Sequence, residues 1–348
     1  MAQDDVLEQI DVRLAPREAE RLAEEGFGLL GRVQRLAGER DQNFRLRTSD
    51  GVDYLLKISN SAEPPAVTDL QTRALLHMHA VDPDLPTPRL QPARNGEPQH
   101  SWTGADGRRS VVRLFSYLQG APLYRAAVSP DLLTALGGAL ARVDLALRDF
   151  RHPAENHDLL WDVQHAGRLR PLTSEIDDPD VQRLAIAGLA AFAEKAAPRL
   201  PGLRAQFIHN DLNPHNVLVA ENGTPSITGV LDLGDAVRAP LVDDLAVAAA
   251  YHVDLSDDPL CRVAHLMRGY HRVLPLTEQE IEVMGPLILG RLAMSATIST
   301  WRARRHPDNR TYILRNLPAA VLGLRRLLPL ADDMIAERLW AALEDPGS

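Results

Sequence analysis

The chain has 348 residues, 45% of them hydrophobic and 24% charged, which is typical of a soluble globular protein but too long for one compact core. The formal net charge of −9 argues against a nucleic-acid binder, which usually has a basic face. The single cysteine excludes an internal disulfide, and no apolar run approaches the roughly 20 residues that span a bilayer. The charged N-terminus is unlike a signal peptide. We therefore expect a cytoplasmic protein of two lobes, with no membrane and no nucleic-acid partner.

The N-terminal part of the chain reads as a helix followed by strands. The spacing predicts a helix over 14–30 and a second helix over 66–80. Between them, residues 31–58 form three short apolar runs separated by turn sequences, and Asp50-Gly51 is a strong hairpin signal. A further strand is predicted over 110–118. The pattern indicates a small antiparallel sheet.

The chain after Gly120 is mostly helical. Ser129 and Pro130 begin a predicted helix that runs to about Asp149, and another covers 180–197. Residues 207–235 read as strand, loop, strand and hairpin. From 241 to 345 the pattern is helical again, with a capping box at Thr277. We predict an α+β fold with an N-terminal lobe at 1–115, a hinge at 116–120 and a helical C-terminal lobe at 121–348.

One segment carries a chemical pattern. His209, Asp211 and Asn216 have the spacing H-x-D-x-x-x-x-N, and Asp232 follows sixteen residues after Asn216. Phosphoryl transfer needs a carboxylate beside the attacking hydroxyl and oxygen ligands for Mg²⁺ near the γ-phosphate. Asp211 can orient the hydroxyl, Asn216 and Asp232 can bind the metal, and His209 can brace the loop.

A lysine in the other lobe completes the pattern. Only two of the 38 basic residues are lysines, and Lys57 lies near the end of the third predicted strand. An isolated HxD is more often a surface turn, and a lone lysine is usually solvated. Together, in this order along the chain, they predict the active site of a kinase with Lys57 on the α- and β-phosphates.

The sequence resembles the aminoglycoside phosphotransferase and choline kinase superfamily, and within it most of all the hydroxylysine kinase branch. The likeness covers nearly the whole chain. The segments that carry it are GERDQNF (38–44), YLLKISN (54–60), DLQTRALLHM (69–78), VVRLFSYLQGAPL (111–123), DLLWD (158–162) and HNDLNPHNVLV (209–219). The resemblance implies a two-lobed protein-kinase-like fold.

The resemblance also implies roles for single residues. Asp211 matches the catalytic base, Lys57 the phosphate-binding lysine, and Asn216 and Asp232 the ligands of Mg²⁺. The hinge that binds the base of ATP or GTP matches Ser116, Tyr117 and Leu118.

Two positions depart from the usual kinase pattern. The phosphate loop has one glycine, Gly38, although backbone amides around Asn43 can still cap phosphates. The register also places Gln71 where a glutamate partner of Lys57 is expected. Gln71 can accept a hydrogen bond from Lys57 but brings no charge.

The acceptor side is less determined by the sequence. Asp235 can meet a substrate amine or cap the next segment. Asp243 and Asp244 are expected first to cap the helix that they begin, and the alternative is that they tie this helix to the catalytic loop. Arg291, inside an apolar helix, can bind a substrate carboxylate or an internal one. The pairs Trp161-Asp162 and Trp301-Arg302 can line a pocket, but packing of the ring in the core with a solvated charge is the favoured interpretation of each.

The sequence thus predicts an Mg²⁺-dependent kinase that moves the γ-phosphate of ATP or GTP to a hydroxyl of a small molecule. An amino alcohol or hydroxy amino acid is expected, 5-hydroxylysine first. Aminoglycoside, homoserine and choline or ethanolamine kinases are alternatives within the class. A nucleotide-binding pseudokinase is the alternative of another class, although all four core residues are present.

Overall fold

A computed structural model describes residues 13–38, 40–104, 106–254 and 256–344. The N-terminal lobe combines two helices with one antiparallel sheet. Its elements are α1 (Pro16–Phe27), β1 (Gly31–Arg35), β2 (Gln42–Thr48), β3 (Asp53–Ile58), α2 (Pro65–Val81), β4 (Leu90–Gln91), β5 (His100–Thr103) and β6 (Arg109–Ser116). The strand order is β1-β2-β3-β6-β4, and β5 also pairs with β6. The predicted three-stranded meander is therefore confirmed.

The turn residues explain where these elements stop. Gly51, at the hairpin between β2 and β3, has a φ of 86°, which favours glycine. Gly28 has a φ of 75° and ends α1 earlier than the predicted residue 30, because its left-handed conformation closes the helix. One face of the sheet packs against α1 through a buried apolar cluster that includes Leu22, Phe44 and Leu56.

The C-terminal lobe is mainly helical, with two small sheets at the cleft. Its elements are β7 (Ala121–Pro122), α3 (Pro130–Leu147), α4 (Pro179–Ala191), β8 (Ala205–Ile208), β9 (Val217–Val219), β10 (Ile227–Val230), β11 (Val237–Pro240), α5 (Leu241–Ala250), α6 (Cys261–Val273), α7 (Glu278–Arg305), α8 (Arg310–Ile313), α9 (Leu317–Leu327) and α10 (Asp332–Glu344). The sheets have the orders β10-β9-β7 and β11-β8. A segment of 3-10 type spans Val163–Glu175.

Helix α7 is the centre of this lobe. The predicted capping box is present: Thr277 Oγ1 accepts from Glu280 N at 3.3 Å, and Glu280 Oε2 accepts from Thr277 N at 2.8 Å. By length and composition α7 is able to cross a membrane, but 94% of its most apolar stretch is buried inside the protein. Its hydrophobicity is that of a core helix.

The small sheets bring the predicted site residues together. The register pairs Val217 of β9 with Val230 of β10. As a result Leu231 N donates to Asn216 O at 2.8 Å, just beyond the paired residues. The ends of the HxDxxxxN loop and the segment that holds Asp232 therefore lie side by side.

Candidate active site

Asp244 holds the loop between β8 and β9 through hydrogen bonds to the loop backbone. Its two carboxylate oxygens accept from the backbone amides of His209 and Asn210, each at 2.8 Å. Of the two alternatives for Asp243 and Asp244, a cap of their own helix is wrong, because α5 begins after Pro240 with no side-chain cap, and the link to the loop is the one that Asp244 makes. Asp244 is fully buried and ties the helix to the loop instead. Asn210 has a φ of 62°, a conformation that asparagine tolerates better than most residues.

His209 braces the loop from within. Its Nδ1 accepts from Asp211 N at 3.2 Å, and its Nε2 donates to Leu231 O at 2.9 Å. These two contacts use both ring nitrogens of a neutral imidazole. His209 is 1% exposed and supports Asp211 at the wall of the cleft.

Asp211 is surrounded by donors. Asn213 Nδ2 lies 2.9 Å from each carboxylate oxygen, and Asn216 Nδ2 lies 2.7 Å from Oδ2. Arg291 Nη2 lies 3.4 Å from Oδ1. Burial and the negative charge of Asp235 raise the pKa of Asp211 to about 7, although Arg291 opposes the shift. These donors fix the orientation of the carboxylate.

Asn216 and Asp232 offer oxygen atoms on the neighbouring side. The side-chain amide nitrogen of Asn216 donates twice to Asp211, to the backbone oxygen at 3.0 Å and to Oδ2 at 2.7 Å. That leaves Oδ1 of Asn216 as the acceptor for a cation. Asp232 has a φ of 63°, and its Oδ1 accepts from Gly234 N at 3.0 Å. Hard oxygen donors of this kind fit Mg²⁺, which is commonly bound by one or two carboxylates plus substrate phosphates.

No cluster of three His, Cys, Asp or Glu side chains suited to a metal occurs among the residues that the structure describes. A metal at Asn216 and Asp232 would therefore need further oxygen ligands from a nucleotide or from water. The donor set fits a metal that arrives with its substrate better than a permanently bound structural ion.

Lys57 crosses the cleft. Its Nζ lies 3.0 Å from Asp41 Oδ2 and 3.1 Å from Asp232 Oδ1. Burial disfavours its charge, but Asp232 and Asp41 outweigh that effect and raise the pKa of Lys57. In turn the Lys57 ammonium holds the pKa of Asp232 well below its usual range.

The expected contact between Gln71 and Lys57 is wrong. Gln71 Oε1 accepts instead from Arg113 Nη2 at 3.0 Å. Arg113 is 2% exposed and sits opposite Lys57 in the pairing of β3 with β6, so it takes the buried acceptor that α2 provides. The acidic partner of Lys57 comes from the phosphate loop, as Asp41.

The other residues predicted to bind nucleotide line the same cleft. The lining includes Asn43, Ser116, Tyr117 and Leu118 as well as Lys57 and Gln71. The backbone amide of Ser116 already donates to Arg89 O at 2.8 Å. The Ser116 amide is therefore already paired within the N-terminal lobe. Asn43 pairs with Lys57 across β2 and β3.

Asp235 is engaged by the phosphate loop. Arg40 Nη2 donates to Asp235 Oδ1 at 2.5 Å, and Arg40 Nη1 donates to Gly234 O at 3.2 Å. Asp235 is buried, and its backbone oxygen accepts from Asn210 Nδ2 at 3.0 Å. The side chain thus faces the cleft with a cationic partner from the opposite lobe and does not cap the following segment.

A second, smaller pocket opens beside Asp211, and we call it the acceptor pocket. Its lining residues are Arg40, Trp161, Asp211, Asn213, Asp235, Tyr251, Arg291, Ser295, Ser299, Arg302, Ile313, Arg315 and Asn316. Trp161 packs against the core and also lines this pocket, with its ring centre 4.9 Å from the Arg291 guanidinium carbon, so both of the alternatives for this residue are present. Of the alternatives for Arg291, the structure shows the internal pair with Asp211.

Comparisons with known proteins identify the family and the fold of the chain. The model of a family described as the phosphotransferase enzyme family matches residues 32–279. Hydroxylysine kinase of Danio rerio is 28% identical over 326 residues, covering 90% of this chain and 91% of the relative. Hydroxylysine kinase of Mus musculus is 26% identical over 347 residues, covering 93% and 91%.

Solved structures with the same fold include a microcompartment-associated aminopropanol kinase, with a TM-score of 0.69, 18% identity, and coverage of 92% of this chain and 98% of that one. The amicoumacin kinase hAmiN, in complex with AMP-PNP and Ca²⁺, has a TM-score of 0.67 and 12% identity, covering 92% and 97%. At these identities the likeness shows the fold alone. The predicted kinase-like α+β fold is confirmed.

Proposed function

Because the chain belongs to the phosphotransferase enzyme family, we propose that it transfers the γ-phosphate of ATP or GTP, with Mg²⁺, to the hydroxyl of a small hydroxy amino acid or amino alcohol, 5-hydroxylysine first. The predicted enzyme class, a phosphotransferase acting on a hydroxyl group, is confirmed by the family and by the hydroxylysine kinases that resemble the chain. The acceptor and the donor nucleotide are the proposed parts.

One observation carries the proposal: the strand lysine Lys57 reaches Asp232 across the cleft, beside the loop that holds Asp211 and Asn216. Lys57 would hold the α- and β-phosphates, and Asn216 Oδ1 with Asp232 would hold Mg²⁺. The metal neutralises charge on the transferring phosphoryl group when bound.

Asp211 would orient the attacking hydroxyl. Its carboxylate is fixed by Asn213 and Asn216, so little reorganisation is needed when the acceptor binds. The raised pKa of Asp211, about 7, suits a group that takes the hydroxyl proton as the phosphoryl group leaves the nucleotide.

The test is a nucleotide consumption assay with Mg²⁺ and either ATP or GTP. The acceptors are 5-hydroxylysine, homoserine, ethanolamine, choline and several aminoglycosides, and Asp211→Asn serves as the inactive control. Turnover on one acceptor, reduced at least roughly 1,000-fold in Asp211→Asn while nucleotide still binds, supports the proposal. Turnover only on an aminoglycoside, homoserine or choline would move the assignment to that kinase.

A nucleotide-binding pseudokinase is the competing reading, and it predicts binding without turnover on any acceptor. The presence of Lys57, Asp211, Asn216 and Asp232 in one cleft speaks against it. The cytoplasmic location and the lack of membrane or nucleic-acid partners remain predictions that rest on the sequence.

A further inference from the structure

A second carboxyl lies beside Asp244, the residue that holds the loop between β8 and β9. Asp144 on α3 and Asp244 on α5 are both 0% exposed. Their side chains lie within hydrogen-bonding reach of each other. Two ionised carboxylates side by side in a buried site repel each other and have both lost their hydration. One member of the pair must therefore hold a proton.

The hydrogen bonds around the pair indicate which member holds it. Both oxygens of Asp244 accept from backbone amides, those of His209 and Asn210, each at 2.8 Å, and such donors favour the ionised form. Asp144 Oδ2 accepts from Tyr270 OH at 2.6 Å. Asp144 Oδ1 is buried and has no hydrogen-bond partner among the residues that the structure describes. A proton on this oxygen would give it a partner, the carboxylate of Asp244.

The charged groups around Asp144 also favour its neutral form. It is faced by Asp244 on α5, Tyr270 on α6 and Arg204 just before β8. Arg204 is engaged with Glu280, whose two carboxylate oxygens accept from its Nε at 2.8 Å and from its Nη2 at 2.6 Å. Burial and the charge of Asp244 raise the pKa of Asp144 well above its usual range, although Tyr270 and Arg204 oppose the shift.

The packing around Asp144 fixes its position relative to the loop. Helices α3 and α6 are in close contact, since a Cβ on Gly137 would lie 1.9 Å from Leu266 O. The backbone oxygen of Asp144 accepts from Gln206 Nε2 at 2.7 Å, and Gln206 lies on β8, the strand that leads into the loop. Asp144 is therefore connected to the loop through β8 as well as through Asp244.

We propose that Asp144 is a positioning residue for phosphoryl transfer, which keeps a proton and donates it to Asp244, so that Asp244 holds the backbone that carries Asp211. The inference rests on the proposed function, in which Asp211 orients the acceptor hydroxyl. A donor on Asp244 keeps its carboxylate turned toward the two loop amides. The loop is then fixed in the reactive arrangement before the acceptor binds.

The proton can be tested without any assay of activity. In infrared spectra at neutral pH, the C=O stretch of one protonated carboxyl should be present in the wild type and absent from Asp144→Asn. In urea titrations between about pH 5 and about pH 7, the unfolding equilibrium constant of the wild type, divided by that of Asp144→Asn, should rise roughly tenfold per pH unit, because unfolding releases this proton. An unchanged spectrum together with a constant ratio overturns the proposal.

The positioning role is tested by steady-state kinetics under conditions in which each variant is folded. Asp144→Asn offers an N–H donor to Asp244, so kcat should stay within roughly threefold of the wild type. Asp144→Leu has a similar size and no donor, so kcat should fall roughly 10- to 100-fold while KM for nucleotide changes little. Tyr270→Phe is the matched control, because it removes a donor at the same buried site but leaves Asp144 beside Asp244. Its kcat should stay near that of the wild type.

The pH profile of kcat gives a test that needs no destabilising substitution. The wild-type rate should decline on the alkaline side as Asp144 loses its proton, and Asp144→Asn, which cannot ionise there, should lack that decline. Identical alkaline profiles overturn the positioning role.

The remaining outcomes are equally decisive. Equal kcat in Asp144→Leu and Asp144→Asn overturns the positioning role, and so does a loss in Tyr270→Phe as large as that in Asp144→Leu, which would assign the effect to general destabilisation. If the wild type phosphorylates no acceptor, the proposed function is overturned and the positioning role with it. The infrared and unfolding measurements would still show whether Asp144 holds the proton, so the two failures are distinguishable.

Discussion

The anchoring of Lys57 by Asp41 gives the sharpest test of the cleft. Asp41 Oδ2 lies 3.0 Å from Lys57 Nζ, and its Oδ1 accepts from Asn60 N at 3.0 Å. In Asp41→Asn the side-chain oxygen of the new asparagine can still accept from Asn60 N. Its NH₂ group then faces the Lys57 ammonium, to which it cannot offer an acceptor. Lys57 then depends on Asp232 alone, at 3.1 Å.

The expected cost follows from the loss of one of two nearly equal contacts. A hydrogen bond to a charged group contributes about 1.5–3 kcal/mol, and both side chains are largely buried, with 12% and 14% exposed. We therefore expect kcat/KM for nucleotide to fall roughly 10- to 150-fold. The Mg²⁺ concentration for half-maximal rate should also rise, because Lys57 would compete more strongly for Asp232.

Steady-state kinetics at several Mg²⁺ concentrations measure both effects. Asp53→Asn is the matched control, since it makes the same change on β3 but removes the partner of Arg45, away from Lys57. Kinetic constants for Asp41→Asn that equal those of Asp53→Asn would refute the anchoring role. A loss of the same size in Gln71→Met, with normal stability, would return the role to α2.

Three further changes test the packing and charge of the lobe around the site. A Cβ on Gly137 would lie 1.9 Å from Leu266 O, so Gly137→Ala should lower the free energy of unfolding, measured in denaturant titrations, by about 3 kcal/mol or more. A Cβ on Gly138 would lie 3.7 Å from Gly269 O, so Gly138→Ala should leave the free energy of unfolding unchanged. Burial raises the pKa of Asp162 from 3.8 to about 6. Protonation is therefore favoured by folding, and stability relative to Asp162→Asn should fall as pH rises from about 4 to about 6, then level off. Thr277→Ala should cost about 1 kcal/mol by removing the cap of α7.

The sequence predicted the parts of the fold that depend on local signals. Turns at Gly51, the cap at Ser129 and the capping box at Thr277 each restrict the backbone within a few residues, and each was recognisable without the rest of the chain. The HxDxxxxN spacing likewise fixes one loop. The order of lobes followed from where strand-like and helix-like patterns change.

The errors concern partners chosen by the tertiary structure. Gln71 was expected to meet Lys57, but the buried Arg113 competes for the same acceptor from the adjacent strand. Asp41 lies two residues before Asn43, which pairs with Lys57, so strand register contained a signal for it. Arg315 reaches the acceptor pocket through chain packing that no local pattern encodes.

The two ion pairs across the cleft affect how nucleotide affinity depends on ionic strength. Arg40 contacts Asp235, and Lys57 contacts Asp232. Under the proposed function, a triphosphate would replace these carboxylates with its own oxygens, so the number of paired charges would change little on binding. Added salt weakens both sides of such an exchange alike. The dissociation constant for nucleotide should therefore vary only slightly with ionic strength. The association rate constant for nucleotide should be lower than for an open cleft, because the two ion pairs must break before the phosphates bind.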